Sequence, residues 1–262
     1  KIKLLLNKYY YVSKIKNIFL EHQVPISEIG IIDFLSYFLI GTAVVLVLSR
    51  RSKLSSFAMF AFFILTMFLG VNLFLSLFIN QGAAFYFAVA IIIFRFVFPS
   101  IFFHNIIFLI SIVAFSSALS LQFDAITIIV ILALLAVYDI VSVYFTKHMV
   151  KMAKAMIEKH LIFGFIIPEK IRYNFLGVDR AKPGTGVVFL GGGDVGLPLF
   201  LVANVASTNV TQGLIVAIFS ILGMILSYYL FVSQKLKKPM PALPPISMMS
   251  ILGYVLIRVI WA

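Results

Sequence analysis

The sequence predicts an all-α polytopic membrane protein, a bundle of about eight to nine transmembrane helices. Three observations carry that expectation. Of 262 residues, 63% are hydrophobic and 11% are charged, whereas a soluble domain is about half apolar and a quarter charged. The apolar residues fall into runs of bilayer length separated by short polar turns. The lysines and arginines lie mostly between those runs, where they set topology. The formal charge of +12 therefore predicts no nucleic-acid partner, because binding a phosphate backbone needs a clustered basic face. The lipid bilayer is the expected surrounding. The absence of cysteine excludes disulfide and thiolate chemistry.

Residues 1–30 form a basic amphipathic segment. Lys1, Lys3, Lys8, Lys14 and Lys16 alternate with apolar groups suited to an interface. Spans are expected at 31–49, 55–79, 83–98, 101–121 and 124–146, the third short and closed by Pro99. Together, 31–146 make an N-terminal membrane bundle. Residues 147–185 form a loop opening on an amphipathic helix, where Met149, Met152, Ala153, Met156 and Ile157 share one face. Residues 186–262 make a C-terminal bundle with spans at 186–207, 212–232 and 243–261. If the spans alternate, Arg50, Arg51 and Lys53, the bases of 147–185, and Lys235, Lys237 and Lys238 share one side. The positive-inside rule makes that side cytoplasmic and puts the C-terminus outside. The basic N-terminal segment fits this alternation poorly.

Of nine acidic residues, Asp139 and Asp194 alone lie well inside expected spans. An intramembrane carboxylate is a candidate functional group. Counting helical rise from the cytoplasmic ends puts both at roughly 10–12 Å depth, on consecutive antiparallel spans. Two close carboxylates share a proton, which suits aspartyl proteolysis, a proton relay in a transporter, or a structural hydrogen bond. Gly191, Gly192 and Gly193 precede Asp194. They permit close backbone approach, either for tight helix packing or for an extended substrate adding to an exposed strand edge. Pro239, Pro241, Pro244 and Pro245 make a rigid entry to the last span. Arg95 and Arg258 near span ends read as snorkelling bases, and His104 as a satisfied polar contact. The four histidines are scattered without zinc-like spacing, so neither metal nor cofactor is expected.

Three motifs act together: Tyr138-Asp139, Gly191-Gly192-Gly193-Asp194 and Pro241-Ala242-Leu243. In that order they resemble the presenilin and signal-peptide-peptidase class of GxGD intramembrane aspartyl proteases, most like a microbial, archaeal homologue. The resemblance implies that Asp139 and Asp194 are the catalytic pair. It implies that Tyr138 supports the first aspartate and that Gly191 and Gly193 shape substrate approach. Gly192 occupies the motif's variable position, where presenilins carry a larger apolar residue. Pro241, Ala242 and Leu243 would order the site and touch substrate. The implied substrates are transmembrane helices of other membrane proteins, cut without accessory subunits, with self-association left open. The loop polarity matches presenilins rather than the inverted signal peptide peptidases. The family has nine spans, so its first is missing here or lies within 1–20. A proton-coupled transporter, or a prepilin or preflagellin peptidase sharing the GxGD aspartate, remains the alternative.

Overall fold

Helices that are apolar on every side bury one face against neighbours and leave the rest for lipid. That pattern governs the computed structural model, which describes residues 30–48, 53–147, 149–150, 156–158, 161–181, 186–234 and 239–261. The amphipathic segment expected over 1–30 lies outside the described residues apart from Gly30, as does most of the helix expected after 147.

The long helices are α1 (Ile31–Leu48), α2 (Lys53–Ser76), α3 (Gln81–Val97), α4 (Ile101–Ser120), α5 (Ala125–Ile140), α6 (Gly192–Thr208), α7 (Val210–Val232) and α8 (Leu243–Ile260). The chain is thus a polytopic helical membrane protein. The spans in α2, α4, α5 with its extension to Phe145, α7 and α8 are long and apolar enough to cross a membrane. The helix starts are encoded locally. Asn80, Ser100, Asp124 and Asn209 each accept a backbone N–H two or three residues on, satisfying donors that a first turn leaves unpaired.

One boundary departs from expectation. Residues 186–191 do not begin a helix. Strand β2 (Val187–Gly191) pairs antiparallel with β1 (Gly164–Pro168), with Gly164 opposite Gly191, and α6 starts only at Gly192. The run GVVFLG has the hydropathy of a span, but β-branched residues between glycines equally suit a strand. The partner run, GFIIP, lies within what was read as a polar loop.

Two apolar clusters organise the bundle. Met59, Phe63, Met67 and Val71 of α2 pack with Ala88 and Ile92 of α3 and with Ile107 and Phe108 of α4. The second cluster joins Ile128, Ile131, Leu132 and Leu135 of α5 to α6, α7 and α8 through Leu201, Val216, Leu243 and Ile257, among others. The β1–β2 ribbon sits on a third cluster containing Ile101, Ile166, Val178 and Val187. Helix α4 contacts both α6 and β1, linking the first cluster to the ribbon.

Arg95 differs from its expected role. It is 4% exposed, and its guanidinium stacks over Phe63 and Phe96 and donates from Nη2 to His104 Nδ1 at 3.1 Å. Hydrogen bonding and aromatic faces replace the water a snorkelling base would seek. Arg258 is exposed and lies over Tyr254. His104 has the satisfied polar contact expected of it: Nε2 lies 2.9 Å from the Gly164 carbonyl.

Candidate active site

Asp139 lies near the end of α5 and is 6% exposed. Directly after it the helix widens. Val141–Phe145 form a π turn, closed by the Thr146 N–H donating to the Val141 carbonyl at 3.0 Å. Such widening is frequent at functional sites. Ser142, fully buried, donates to the Asp139 carbonyl at 3.0 Å and holds this turn against the helix.

The Asp139 carboxylate is received by a distant segment. Leu243 N–H donates to its Oδ2 at 3.1 Å, and the Ala242 N–H is directed at the same carboxylate. The sequence explains why this amide is free. Leu243 opens α8, so its N–H has no partner within the helix. Pro244 and Pro245 follow and have no N–H to offer. The amides of 242 and 243 therefore supply the donors here, at a helix N-terminus whose dipole favours an anion. Pro241 is buried. Helix α7 holds the start of α8 closely. A Cβ on Gly223 would stand 2.8 Å from the Ile246 Cα, and Ser220 and Ser250 share a 2.8 Å hydrogen bond.

Asp194 is placed by its own helix. It is the third residue of α6, after Gly192 and Gly193, with Gly191 as N-cap. Its carboxylate turns back over Gly191, as the third-residue acid of a capping box does. A Cβ on Gly191 would lie 2.9 Å from Asp194 Oδ2. Pro198, four residues on, has no N–H to donate to the Asp194 carbonyl, which loosens the helix there. The Asp139 and Asp194 carboxylates interact electrostatically. The helical rise counted along a 186–207 span does not place Asp194, because a strand delivers it to a helix start.

The three glycines have different surroundings. Gly191 leaves room for the carboxylate. Gly192 packs under α4, where a Cβ would meet Phe108 Cζ at 2.6 Å. Gly193 is exposed, with nothing within 4 Å of an added Cβ. Tyr138 faces α1: its ring meets Phe38 edge-on at 5.5 Å, and Thr42 lies at its hydroxyl. The structure thus brings Asp139, Asp194, Ala242 and Leu243 together and turns Tyr138 to a neighbouring helix.

The ribbon was not foreseen as part of the site. Its register makes Gly192 N–H pair with the Phe163 carbonyl and Glu169 N–H with the Gly186 carbonyl. Alternation then turns the amide and carbonyl groups of Val187 and Phe189 away from β1, toward an edge that no other strand pairs among the described residues. The outer edge of β1 is closed by α4. Asn105 donates to the Ile166 carbonyl at 2.7 Å and accepts from its N–H at 3.0 Å. The adjacent polar pair His104-Asn105 at the start of an apolar helix was the available sequence signal for this docking.

The family model described as "Signal-peptide peptidase, presenilin aspartyl protease" matches residues 3–262. Two solved structures of a presenilin family intramembrane aspartate protease, in C222 and P2 crystal forms, share the fold. The first is 21% identical with a TM-score of 0.59, covering 98% of each chain. The second is also 21% identical, with a TM-score of 0.62, covering 96% of this chain and 94% of the other. No curated protein matched the chain.

Proposed function

The chain belongs to the signal-peptide peptidase and presenilin family of aspartyl proteases, and on that premise we propose that Asp139 and Asp194 form its catalytic dyad, hydrolysing peptide bonds within transmembrane segments. One observation carries the reading. Leu243 N–H reaches Asp139 Oδ2 at 3.1 Å, so the last of the three motifs meets the first, beside the aspartate of the second. An ordinary helix packing does not need an unpaired first-turn amide aimed at a buried acid.

The chemistry follows from a shared proton. The ionised carboxylate removes a proton from water as its oxygen adds to the scissile carbonyl carbon. The protonated carboxyl transfers its proton to the carbonyl oxygen, giving a neutral gem-diol and leaving the proton taken from water on the other carboxyl. The protonated carboxyl gives its proton to the amide nitrogen while the ionised one takes a proton from a gem-diol hydroxyl, the C–N bond breaks, and a carboxylic acid and an amine leave with the dyad again holding one proton. Which aspartate begins ionised is a property of the pair rather than of either residue.

A helical peptide bond is shielded by its own hydrogen bonds, so the substrate must unwind before cleavage. The edge of β2 that faces away from β1 suits that need. An extended substrate strand pairing there exchanges hydrogen bonds with Val187 and Phe189 and is led toward Asp194, three residues past the strand. Exposed Gly193 leaves space beside it. The basic loop 147–185 faces the cytoplasm on the positive-inside rule, which puts the dyad nearer that face and the C-terminus outside.

The test is cleavage of a fluorogenic transmembrane-helix reporter by the purified chain in bilayers. Asp139→Asn and Asp194→Asn should each lower turnover by about 10³-fold or more, since each removes an acid–base group the other cannot replace. Turnover should fall on both the acid and the alkaline side, as one shared proton requires. Near-normal cleavage by either folded variant would sink the dyad.

A further inference from the structure

The interior of this membrane bundle holds a cation whose purpose the dyad does not explain. Arg95 is 4% exposed and His104 is fully buried. The Arg95 Nε finds no acceptor among the described residues. We propose that Arg95 and His104 are positioning residues for Asp194, acting through strand β1; this rests on the protease reading above.

The bonding pattern allows one assignment of protons. A guanidinium is a donor only, so His104 Nδ1, 3.1 Å from Arg95 Nη2, must accept. Nε2 therefore carries the hydrogen of a neutral imidazole and donates it to the Gly164 carbonyl at 2.9 Å. Arg95 thus holds His104 in the tautomer that can bind the strand. With Nδ1 protonated instead, a bare Nε2 lone pair would face the Gly164 carbonyl.

Two routes run from His104 to the start of α6. The bonded route passes from Gly164 to the adjoining Phe163, whose carbonyl accepts at 3.1 Å from the N–H of Gly192, the first residue of the helix carrying Asp194. Gly164 itself tolerates no side chain there, because its added Cβ would collide with the Leu190 carbonyl oxygen. The packing route uses the next turn of α4. The Phe108 ring lies 5.8 Å from the His104 ring and nearly parallel to it. Phe108 in turn sits where a Cβ of Gly192 would be, 2.6 Å away. Both routes end within three residues of Asp194. Asn105, by contrast, binds Ile166 opposite Phe189, farther along the strand from the carboxylate. Loss of the His104 bond should therefore disturb the chemical step more than substrate capture.

The experiment uses the full chain in bilayers and the transmembrane reporter, with rates expressed per folded, monodisperse molecule. His104→Leu and His104→Asn should each lower kcat by about tenfold or more while KM stays within about threefold, since small misplacement of a reacting group falls on the chemical step. His104→Gln, long enough to keep an N–H near the Gly164 carbonyl, should retain kcat within about threefold. Equal kcat in all three variants, or a loss in Gln matching that in Leu, overturns the proposal. A second measurement does not depend on folded variants. Nitrogen-15 spectra of histidine-labelled wild type at neutral pH should show His104 as the neutral Nε2–H tautomer. A neutral Nδ1–H form or an imidazolium overturns the proposal. If wild type cleaves no reporter, the protease reading fails instead, and the tautomer still decides the bonding assignment.

Discussion

Asp139 and Asp194 both sit at a helix N-terminus, but they reach it by opposite routes. Asp139 stands near the end of α5 and borrows the start of α8, 104 residues away in sequence. Asp194 stands in the first turn of its own helix and folds back on the N-cap. The first arrangement depends on the bundle being assembled; the second is written into four consecutive residues. The same electrostatic setting, unpaired amides and a favourable dipole, can be made by tertiary packing or by local sequence. The proposed dyad, with one half of each kind, requires α5, α6 and α8 to be packed together.

Three perturbations test that contrast. The largest effect is expected where the local half is struck. Gly191→Ala places a methyl 2.9 Å from Asp194 Oδ2, so turnover should fall by about a hundredfold through displacement of the carboxylate. Gly193→Ala meets open space and should leave the chemical step within about threefold. Equal losses in both would mean that helix flexibility, rather than the space beside the carboxylate, is what the glycines supply. The remote half is tested by Leu243→Pro, which removes the N–H at the first helical position. Leu243→Ala serves as its partner, losing the buried side chain but keeping the amide. The proline variant should turn over about tenfold or more slower than the alanine variant, the scale of a hydrogen bond to a charged group. No difference between them would show that Asp139 does not need the amide.

The smallest effect lies away from the dyad. Asp124 caps α5, accepting from the Ile126 and Thr127 amides at 3.1 and 3.2 Å. Asp124→Ala should cost about 1 kcal/mol of thermal stability, as cap removal does, with turnover per folded molecule unchanged. The Thr127 side chain, then the Thr127 and Ile126 amides, hold the Asp124 carboxyl below its ordinary value. A lowered folded-state value means that the cap's contribution is present above the ordinary carboxylate range and is lost as pH falls through the lowered value. A stability difference between wild type and Asp124→Ala that survives in acid would contradict that sign.

The sequence was informative wherever physics is short-range. The lipid-facing runs and the two isolated acids were readable because hydropathy and the cost of a buried charge act within a few residues. The three motifs identified the family because each keeps its residues contiguous. The ribbon was missed because GVVFLG has the same hydropathy as the helix that follows, and strand pairing depends on GFIIP, more than twenty residues away. Arg95 was misread for a related reason: its partners, Phe63 and His104, come from two other helices, and one residue's position along a span does not say whether it meets lipid or protein.

The sequence alone therefore determined the solvent, the helical class and the family, since each follows from the chemistry of neighbouring residues. Only the tertiary structure decided that Leu243 donates to Asp139, that no other strand pairs with β2 among the described residues, and that a buried histidine in contact with a buried arginine bonds strand β1. Those are pairings between residues far apart in the chain, and packing selects which of many polar partners actually meet.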